Sequence, residues 1–324
     1  MMIQHQTPLG LAIERYLQHW RALGRRYFKE EQTLKALIRF LVEHGFNDLT
    51  QDSYDTWCQA HRSLRGITQR HRQLTVCKFC RFRQRTEPEC FVPDRRRFTR
   101  GTPHDPPVIV TETDVARMLV ACDQLRATWQ SPLRPALCRL GVALLYSAGL
   151  RRGELVRLTL SDVDEAQGVL HIRESKFHRS RFVPLSEDAR IEVRRYLRKR
   201  LQAQFNCAPN APLLCNRVAG FHGYTGEGFQ QIFAEMMRSA RIQGDDGRQP
   251  RILDLRHSFA IGALLRWYKE GADVQVKLPK LSMYMGHVSI LSTAHYLQLT
   301  PTLAQAASEQ FEARFGTLID GGMS

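Results

Sequence analysis

The chain is 324 residues long, enough for two domains each with its own core. Hydrophobic residues at 43% and charged residues at 24% exclude wholesale disorder, and no run approaches the ~20 apolar residues of a membrane span. Lys and Arg number 47 against 32 Asp and Glu, and the resulting +15 suits a polyanionic partner, most often nucleic acid, with a merely soluble basic protein as the bland alternative.

The opening "MMIQHQTPLGLAIERYLQHW" lacks the charged and apolar regions of a signal peptide, and eight cysteines in a chain of this length do not call for disulfides. A reduced, cytoplasmic protein is expected. "LGLAIERYLQHWRALG" and "EEQTLKALIRFLVEHG" carry helical periodicity across 8–45, with Gly45 as the stop. "TQDSYDTWCQAHRSL" opens a third helix on a Thr/Asp cap, and "TQRHRQLTVCKFCRF" gives a fourth with Leu74, Cys77 and Phe79 or Cys80 inward. Cys77 and Cys80 stand at C-x-x-C spacing with Cys90 further on. A structural zinc site needs a second close ligand pair, and only scattered Cys58, His61 and His71 are available. Buried thiols and no metal are therefore expected.

Basic residues gather at the end of this region: Arg81, Arg83, Arg85, then Arg95, Arg96, Arg97 and Arg100. Such a run would track a phosphate backbone without reading sequence, or form an ordinary solvated face. "PDRRRFTRGTPHDPPVIVTETD" reads as a linker, rich in proline and charge. The expected division is a helical bundle with linker over 1–105 and a larger domain over 106–324.

The larger domain starts with a helix capped by Thr111 or Thr113. "PALCRLGVALLYSAG" is almost wholly apolar, so its helix is buried; Gly149 ends it and Arg151 and Arg152 emerge at once. After the short helix "GELVRLTL" and the turn "SDVDEAQG", "VLHIRESKFHRSRFVPLS" alternates around a polar centre, predicting a β-hairpin with Lys176 near its tip. "ILDLRHSFAIGALL" is a buried helix with Asp254, Arg256 and His257 at its start. An interior arginine is expensive unless an anion meets it, and Asp254 is the only acid nearby. A histidine, a tyrosine and a terminal amphipathic helix follow in "MGHVSILSTAHYLQLTPTLAQAASEQFEARF".

Four of these stretches together resemble the tyrosine recombinases, the phage integrase family of DNA strand-exchange enzymes. "AGLRRGEL" is similar to the family's G-L-R-x-x-E-L box, which makes Arg151 the first catalytic arginine and Glu154 its acidic companion. "SKFHRSRFVPL" aligns with G-K-G-x-x-x-R-x-x-P-L and puts the catalytic lysine at Lys176. "LDLRHSFA" matches H-x-L-R-H-S-F-A, giving Arg256 as the second arginine. "MGHVSILSTAHY" supplies His287 and, nine residues on, the nucleophile Tyr296, with Tyr284 as the next candidate. The chain departs from the pattern at Leu253, where the family has histidine, and at Ser175 and Phe177, where it has glycines.

The resemblance implies a mainly α fold with a small β-hairpin or sheet: a helical core-binding bundle plus a mixed α/β catalytic domain, forming a C-shaped clamp around DNA. It implies site-specific cutting and rejoining of DNA through a 3′-phosphotyrosine, for integration or excision of a mobile element or for dimer resolution. Two guanidinium forks would hold the non-bridging oxygens and stabilise the pentavalent transition state, each worth roughly 10²–10³ in rate. Tyr296 must lose its proton as it attacks, Lys176 would protonate the departing 5′-oxygen, and His287 would donate to a phosphate oxygen. No metal or other cofactor is expected. The implied partners are double-stranded DNA with paired half-sites, a homo-tetramer on DNA, and a helper recombinase or accessory protein, at the nucleoid and not at a membrane. Leu303, Ala306, Ala307, Phe311 and Phe315 form the stripe that would dock into a neighbour or, alternatively, onto its own domain.

Two other readings stand beside this one: a catalytically attenuated DNA-binding relative, with Leu253 as the lesion, and a topoisomerase-like relaxing activity. A metal-dependent transposase is disfavoured, since its acids could only be Asp162, Asp164 and Glu165 in a turn. Positions 253 and 256 share a helix face, so Leu253 is expected to point at the phosphate with Arg256. His257 lies about 100° from Arg256 and is not expected to substitute for the missing histidine. The expected result is slow cleavage that rises with pH and is accelerated tenfold or more by Leu253→His, on the scale of acid–base catalysis. The alternative is a pocket rebuilt around leucine, with another group taking the proton.

Overall fold

In the computed structural model, Thr7 starts the first helix: its side chain accepts from the Gly10 N–H at 3.0 Å, and Pro8 occupies the first turn. The structure describes residues 7–25, 27–100, 105–173, 180–218, 222–287, 289–298, 303–310 and 312. It divides into two compact units, Met1–Asp105 and Pro106–Ser324.

The first unit holds α1 (Pro8–Ala22), α2 (Phe28–Glu43), α3 (Gln51–Ala60) and α4 (Gly66–Arg83). α4 packs on α1 and α2 because Val76, Cys77, Phe79 and Cys80 face Tyr16, Leu34, Leu37 and Trp57 in one apolar core. Thr50 caps α3 in a reciprocal box with Ser53, where a Thr/Asp cap was expected. Cys77 and Cys80 are buried thiols of this core. The stretch read as a linker is anchored at both ends. Phe98 packs into the first unit's core, and Val110 into the second's.

The second unit opens with α5 (Glu112–Asp123), capped by Thr111, whose hydroxyl accepts from the Asp114 N–H. α6 (Arg134–Ser147) is the central helix, apolar apart from Arg134, Arg139 and Ser147, with α5, α8 (Glu187–Gln202), α9 (Gly226–Ala240) and α10 (Ile252–Lys269) packed around it. After the single turn α7 (Arg152–Leu155) comes a three-stranded antiparallel sheet of order β1-β2-β3: β1 (Val163–Asp164), β2 (Val169–Ile172) and β3 (Arg181–Pro184). The expected hairpin is β2–β3, with Leu170 paired to Val183. Its tip, including Lys176, lies outside the described residues. The unexpected β1 arises in "SDVD", where Asp162 caps the preceding turn and Asp164 the following one.

α11 (Val274–Met285), α12 (Leu291–Ala294) and the 3₁₀ turn His295–Gln298 complete a second, smaller core with α10. Leu303, at the head of the terminal helical stretch 303–310, is buried in that core, and the Gln310 amide donates to the Ala272 carbonyl at 3.1 Å. Leu303, the first residue of the terminal stripe, therefore sits in its own unit's core. Phe311 and Phe315 lie outside the described residues.

Candidate active site

Gly149 ends α6 in the left-handed region at φ +57°. A Cβ there would stand 2.5 Å from the Phe259 ring, so only glycine lets α10 come this close. The close approach lets the Gly149 carbonyl accept a hydrogen bond from the Arg256 guanidinium. Two residues on, Arg151 enters α7, whose first turn carries Glu154.

The buried Glu154 carboxylate organises two arginines. It accepts from the Arg151 backbone N–H at 2.9 Å, from Arg151 Nη1 at 2.7 Å, and from Arg181 Nη1 and Nη2 at 3.0 and 2.9 Å. Burial works to raise this carboxyl, but Arg181 and then Arg151 outweigh it and hold it at about 2. The same guanidiniums reach the end of α11: Arg151 Nη2 donates to the Gly286 carbonyl and Arg181 Nε to that of Tyr284, both at 2.7 Å. Gly286 closes α11 at φ +65°, and a Cβ on it would lie 2.9 Å from Arg181 Nη1. Arg181, the arginine of the matched hairpin motif, had been given no role from sequence; its fixed place in that motif was the available signal.

Arg256 is only 2% exposed. Its guanidinium donates to the Gly149 carbonyl, to the Met285 carbonyl at 2.6 Å and to His287 Nε2 at 3.0 Å. Among the described residues no carboxylate pairs with it. Asp254, the acid nearest in sequence, is taken by Arg251 in a capping box, with Nη2–Oδ1 2.9 Å. Burial, and then the charge of Arg151, pushes Arg256 down to about 10.

An arginine has no lone pair to accept with, so His287 Nε2 must be the acceptor and its proton sits on Nδ1, toward Thr293 Oγ1 at 2.7 Å. Burial and the Arg256 charge push His287 down to about 4, which keeps it neutral. Both ring nitrogens of His287 are engaged within the chain, Nε2 with Arg256 and Nδ1 with Thr293.

Tyr296 comes from the 3₁₀ turn and is 3% exposed. Its Oη lies 3.2 Å from His257 Nδ1, with the rings edge to face at 5.4 Å; the His287 ring stacks at 6.2 Å. Burial pushes the phenol up, while Arg256 and Arg151 pull it down. His257, not expected to substitute for the missing histidine, thus stands beside the phenol. The angle that matters is not the 100° from Arg256: positions 253 and 257 are four apart, about 40° on the helical wheel, so His257 shares the face of the missing histidine one turn further on. Leu253 itself is 52% exposed on the first turn of α10. Tyr284 stands apart, its phenol donating to the Pro184 carbonyl at 3.4 Å.

Of the residues singled out in the sequence, Arg151, Glu154, Arg256, His257, His287 and Tyr296 thus converge from four separate segments. In the first unit Arg81, Arg85, Arg95, Arg96, Arg97 and Arg100 are exposed. Arg83 is not: it is buried, forked onto Asp48 at 2.5 and 2.7 Å and bonded to Glu87 at 2.7 Å, so it belongs to the framework and not to a phosphate-tracking surface.

Residues 109–302 match the profile of the Phage integrase family. A Sinorhizobium fredii (strain NBRC 101917 / NGR234) protein named among the integrases/recombinases, y4rE, is 31% identical over 97% of both chains. Tyrosine recombinase XerD of Xanthomonas axonopodis pv. citri (strain 306) is 33% identical over 60% of both. The fold is similar to that of the Tn1549 transposon integrase in complex with circular intermediate DNA (TM-score 0.64, 17% identity, 92% of this chain and 99% of that one). It is also similar to a lambda integrase dimer bound to a COC′ core site (TM-score 0.60, 16% identity, 88% and 93%). With the arginines, histidines and tyrosine gathered from the matched motifs, the chain belongs to the phage integrase family, the tyrosine recombinases.

Proposed function

We propose that this chain is a site-specific DNA recombinase that cuts and rejoins strands through a 3′-phosphotyrosine on Tyr296. The observation that carries the reading is the cluster in which the charges of Arg151 and Arg256 act on the Tyr296 phenol, with no carboxylate on the buried Arg256 among the described residues. A buried cation held by carbonyls and a neutral ring is suited to an external anion, and a phosphodiester presents two anionic oxygens to two guanidinium forks. Because Tyr296 lies with the arginines of its own chain, each subunit would attack in cis.

In the step itself the Tyr296 oxygen bonds to phosphorus as the bond to the 5′-oxygen breaks, and the charge built up on the phosphoryl oxygens falls on Arg151 and Arg256. Glu154 and Arg181 act as positioning residues, fixing the first fork. Lys176, by the family resemblance, gives the 5′-oxygen its proton. Religation runs the same steps backward with a new 5′-hydroxyl.

The exposed arginines of the first unit would track the phosphate backbone, with the two units closing as a clamp; the isolated 106–324 unit should then bind DNA far more weakly than the full chain. Paired half-sites call for paired copies, up to a tetramer. Loss of recombination, with half-site binding kept, on removal of residues 311–324 would support docking through the terminal segment. Integration or excision of a mobile element, or dimer resolution with a helper recombinase, at the nucleoid, are the roles such chemistry serves. The attenuated-relative reading rests on Leu253 and expects binding without cleavage.

The test is a covalent adduct on a nicked duplex bearing a site selected from a random pool, with EDTA present. Wild type should form it and Tyr296→Phe should bind equally but form none. Binding by wild type with no adduct would favour the attenuated relative.

A further inference from the structure

His257 sits at the nucleophile of the proposed reaction, in a chain that lacks the histidine expected at 253. Resting on that reading, we propose that His257 is a catalytic residue: its Nδ1 takes the proton from the Tyr296 phenol as the phenol oxygen attacks phosphorus. One O–P bond forms, the bond to the 5′-oxygen breaks, the phenol proton ends on His257 as imidazolium, and the 5′-oxygen is protonated separately. During religation His257 returns the proton to the departing phenolate, so no co-reactant is needed.

The geometry supplies the first support: Nδ1 and Oη are 3.2 Å apart, within reach of direct transfer. Elimination supplies the second. Leu253 has no proton acceptor, and His287 Nε2 already accepts from Arg256 while its Nδ1 faces Thr293. Among the described residues that leaves His257 as the imidazole free to accept at the phenol. Helix geometry supplies the third, since 257 lies one turn from 253 on the same face, so the acceptor has moved along α10 and not off it.

The groups around the ring keep it in the accepting form. Asp254, Arg251 and Arg256 face it from α10, His295 and Tyr296 from the 3₁₀ turn, and His287 from the end of α11. Burial lowers His257 below the ordinary histidine value; Asp254 opposes this, and Arg251, Arg256 and His295 reinforce it. The ring is therefore neutral at pH 7, and its accepting form is lost only as pH falls through its lowered value. Wild-type cleavage should level off by neutral pH instead of climbing through pH 9.

Single-turnover cleavage by the full chain on the nicked duplex tests this. The duplex carries either the normal phosphodiester or a 5′-bridging phosphorothiolate, whose sulfur leaves without a proton. His257→Gln should lose about 100-fold at pH 7 on both substrates, within the range for a removed general base, and recover about tenfold per pH unit above that. Imidazole added to His257→Ala should restore part of the rate. DNA affinity and thermal midpoint, measured on the same variants, should stay at wild type and so report a folded site. Rescue by the phosphorothiolate would overturn the proposal by moving His257 to the leaving group. A loss independent of pH and of imidazole, or no loss at all, would overturn it too. Tyr296→Phe runs alongside: an adduct from that variant would sink the functional reading itself, whereas its absence together with an unimpaired His257→Gln would sink only this assignment.

Discussion

Arg83 in the helical unit and Arg256 in the catalytic unit are both buried, at 8% and 2% exposed, yet they are held in opposite ways. Arg83 is forked onto one carboxylate and bonded to a second, and its hold on the proton is strengthened by them. Arg256 has carbonyls and a neutral histidine, with no carboxylate among the described residues, and its hold is weakened. Burial alone does not mark function: Arg200 is 1% exposed and has no acid partner among the described residues either, but its donors go to the carbonyls of Asn206, Pro212 and Leu213 in one loop. What sets Arg256 apart is its company, a second guanidinium and a phenol. A cation neutralised from within holds a fold together; one left short of charge beside a nucleophile awaits an anion.

The sharpest break in this comparison should come from removing each arginine. Arg256→Ala is expected to cut the cleavage rate by at least about 10²–10³ with DNA binding kept, the cost of losing one preorganised donor to the transition state. The rate is taken per folded molecule, because the change also leaves the Gly149 and Met285 carbonyls and His287 Nε2 without their donor. Arg83→Met should do the reverse: cleavage per folded molecule unchanged, stability down by about 1–3 kcal/mol for the lost charged hydrogen bonds. Calorimetry beside single-turnover kinetics separates the two.

Glu154→Gln comes next. Breaking a buried pair costs roughly 3–5 kcal/mol, and cleavage should fall as Arg151 loses its anchor. The pH dependence has a definite sign. The Glu154 carboxyl is held at about 2, below its ordinary 4.5, so its contribution is complete above 4.5 and is lost as pH falls toward 2. Wild type should therefore lose more stability across that window than Glu154→Gln, measured by denaturant titration.

The exposed run offers a smaller effect. Arg96→Gln should lower the slope of log affinity against log salt by about one contact's worth, near 0.9, while Arg83→Met should leave the slope alone. Smallest of all is Leu253→His. With His257 already at the phenol, the added imidazole should gain much less than the tenfold expected from the sequence by itself, and a gain above about tenfold would restore position 253 to the acid–base role.

Much of this site was legible as motifs, because the catalytic side chains sit at fixed offsets from the glycines and turns that aim them. Gly149 before Arg151 and Gly286 before His287 are visible in the sequence, and so is the apolar helix behind them. Pairing was not legible. Nothing in the spacing said that Asp254 would cap its own helix with Arg251 and not meet Arg256, or that Asp48, 35 residues away, would claim Arg83. Those outcomes depend on tertiary reach. The position of His257 failed for a different reason. Its angle to Arg256 does not decide its place, because the phenol arrives from another element.

The central claim is that Arg256 is held short of charge for one non-bridging oxygen of the scissile phosphate. Its most direct test is cleavage of a duplex whose scissile phosphate is a neutral methylphosphonate, compared for wild type and Arg256→Ala. The account expects the Ala variant, crippled on the ordinary phosphate, to recover most of its deficit on the neutral one, because the charge that Arg256 meets is gone. An equal deficit on both substrates would contradict the claim and make Arg256 part of the framework, like Arg83.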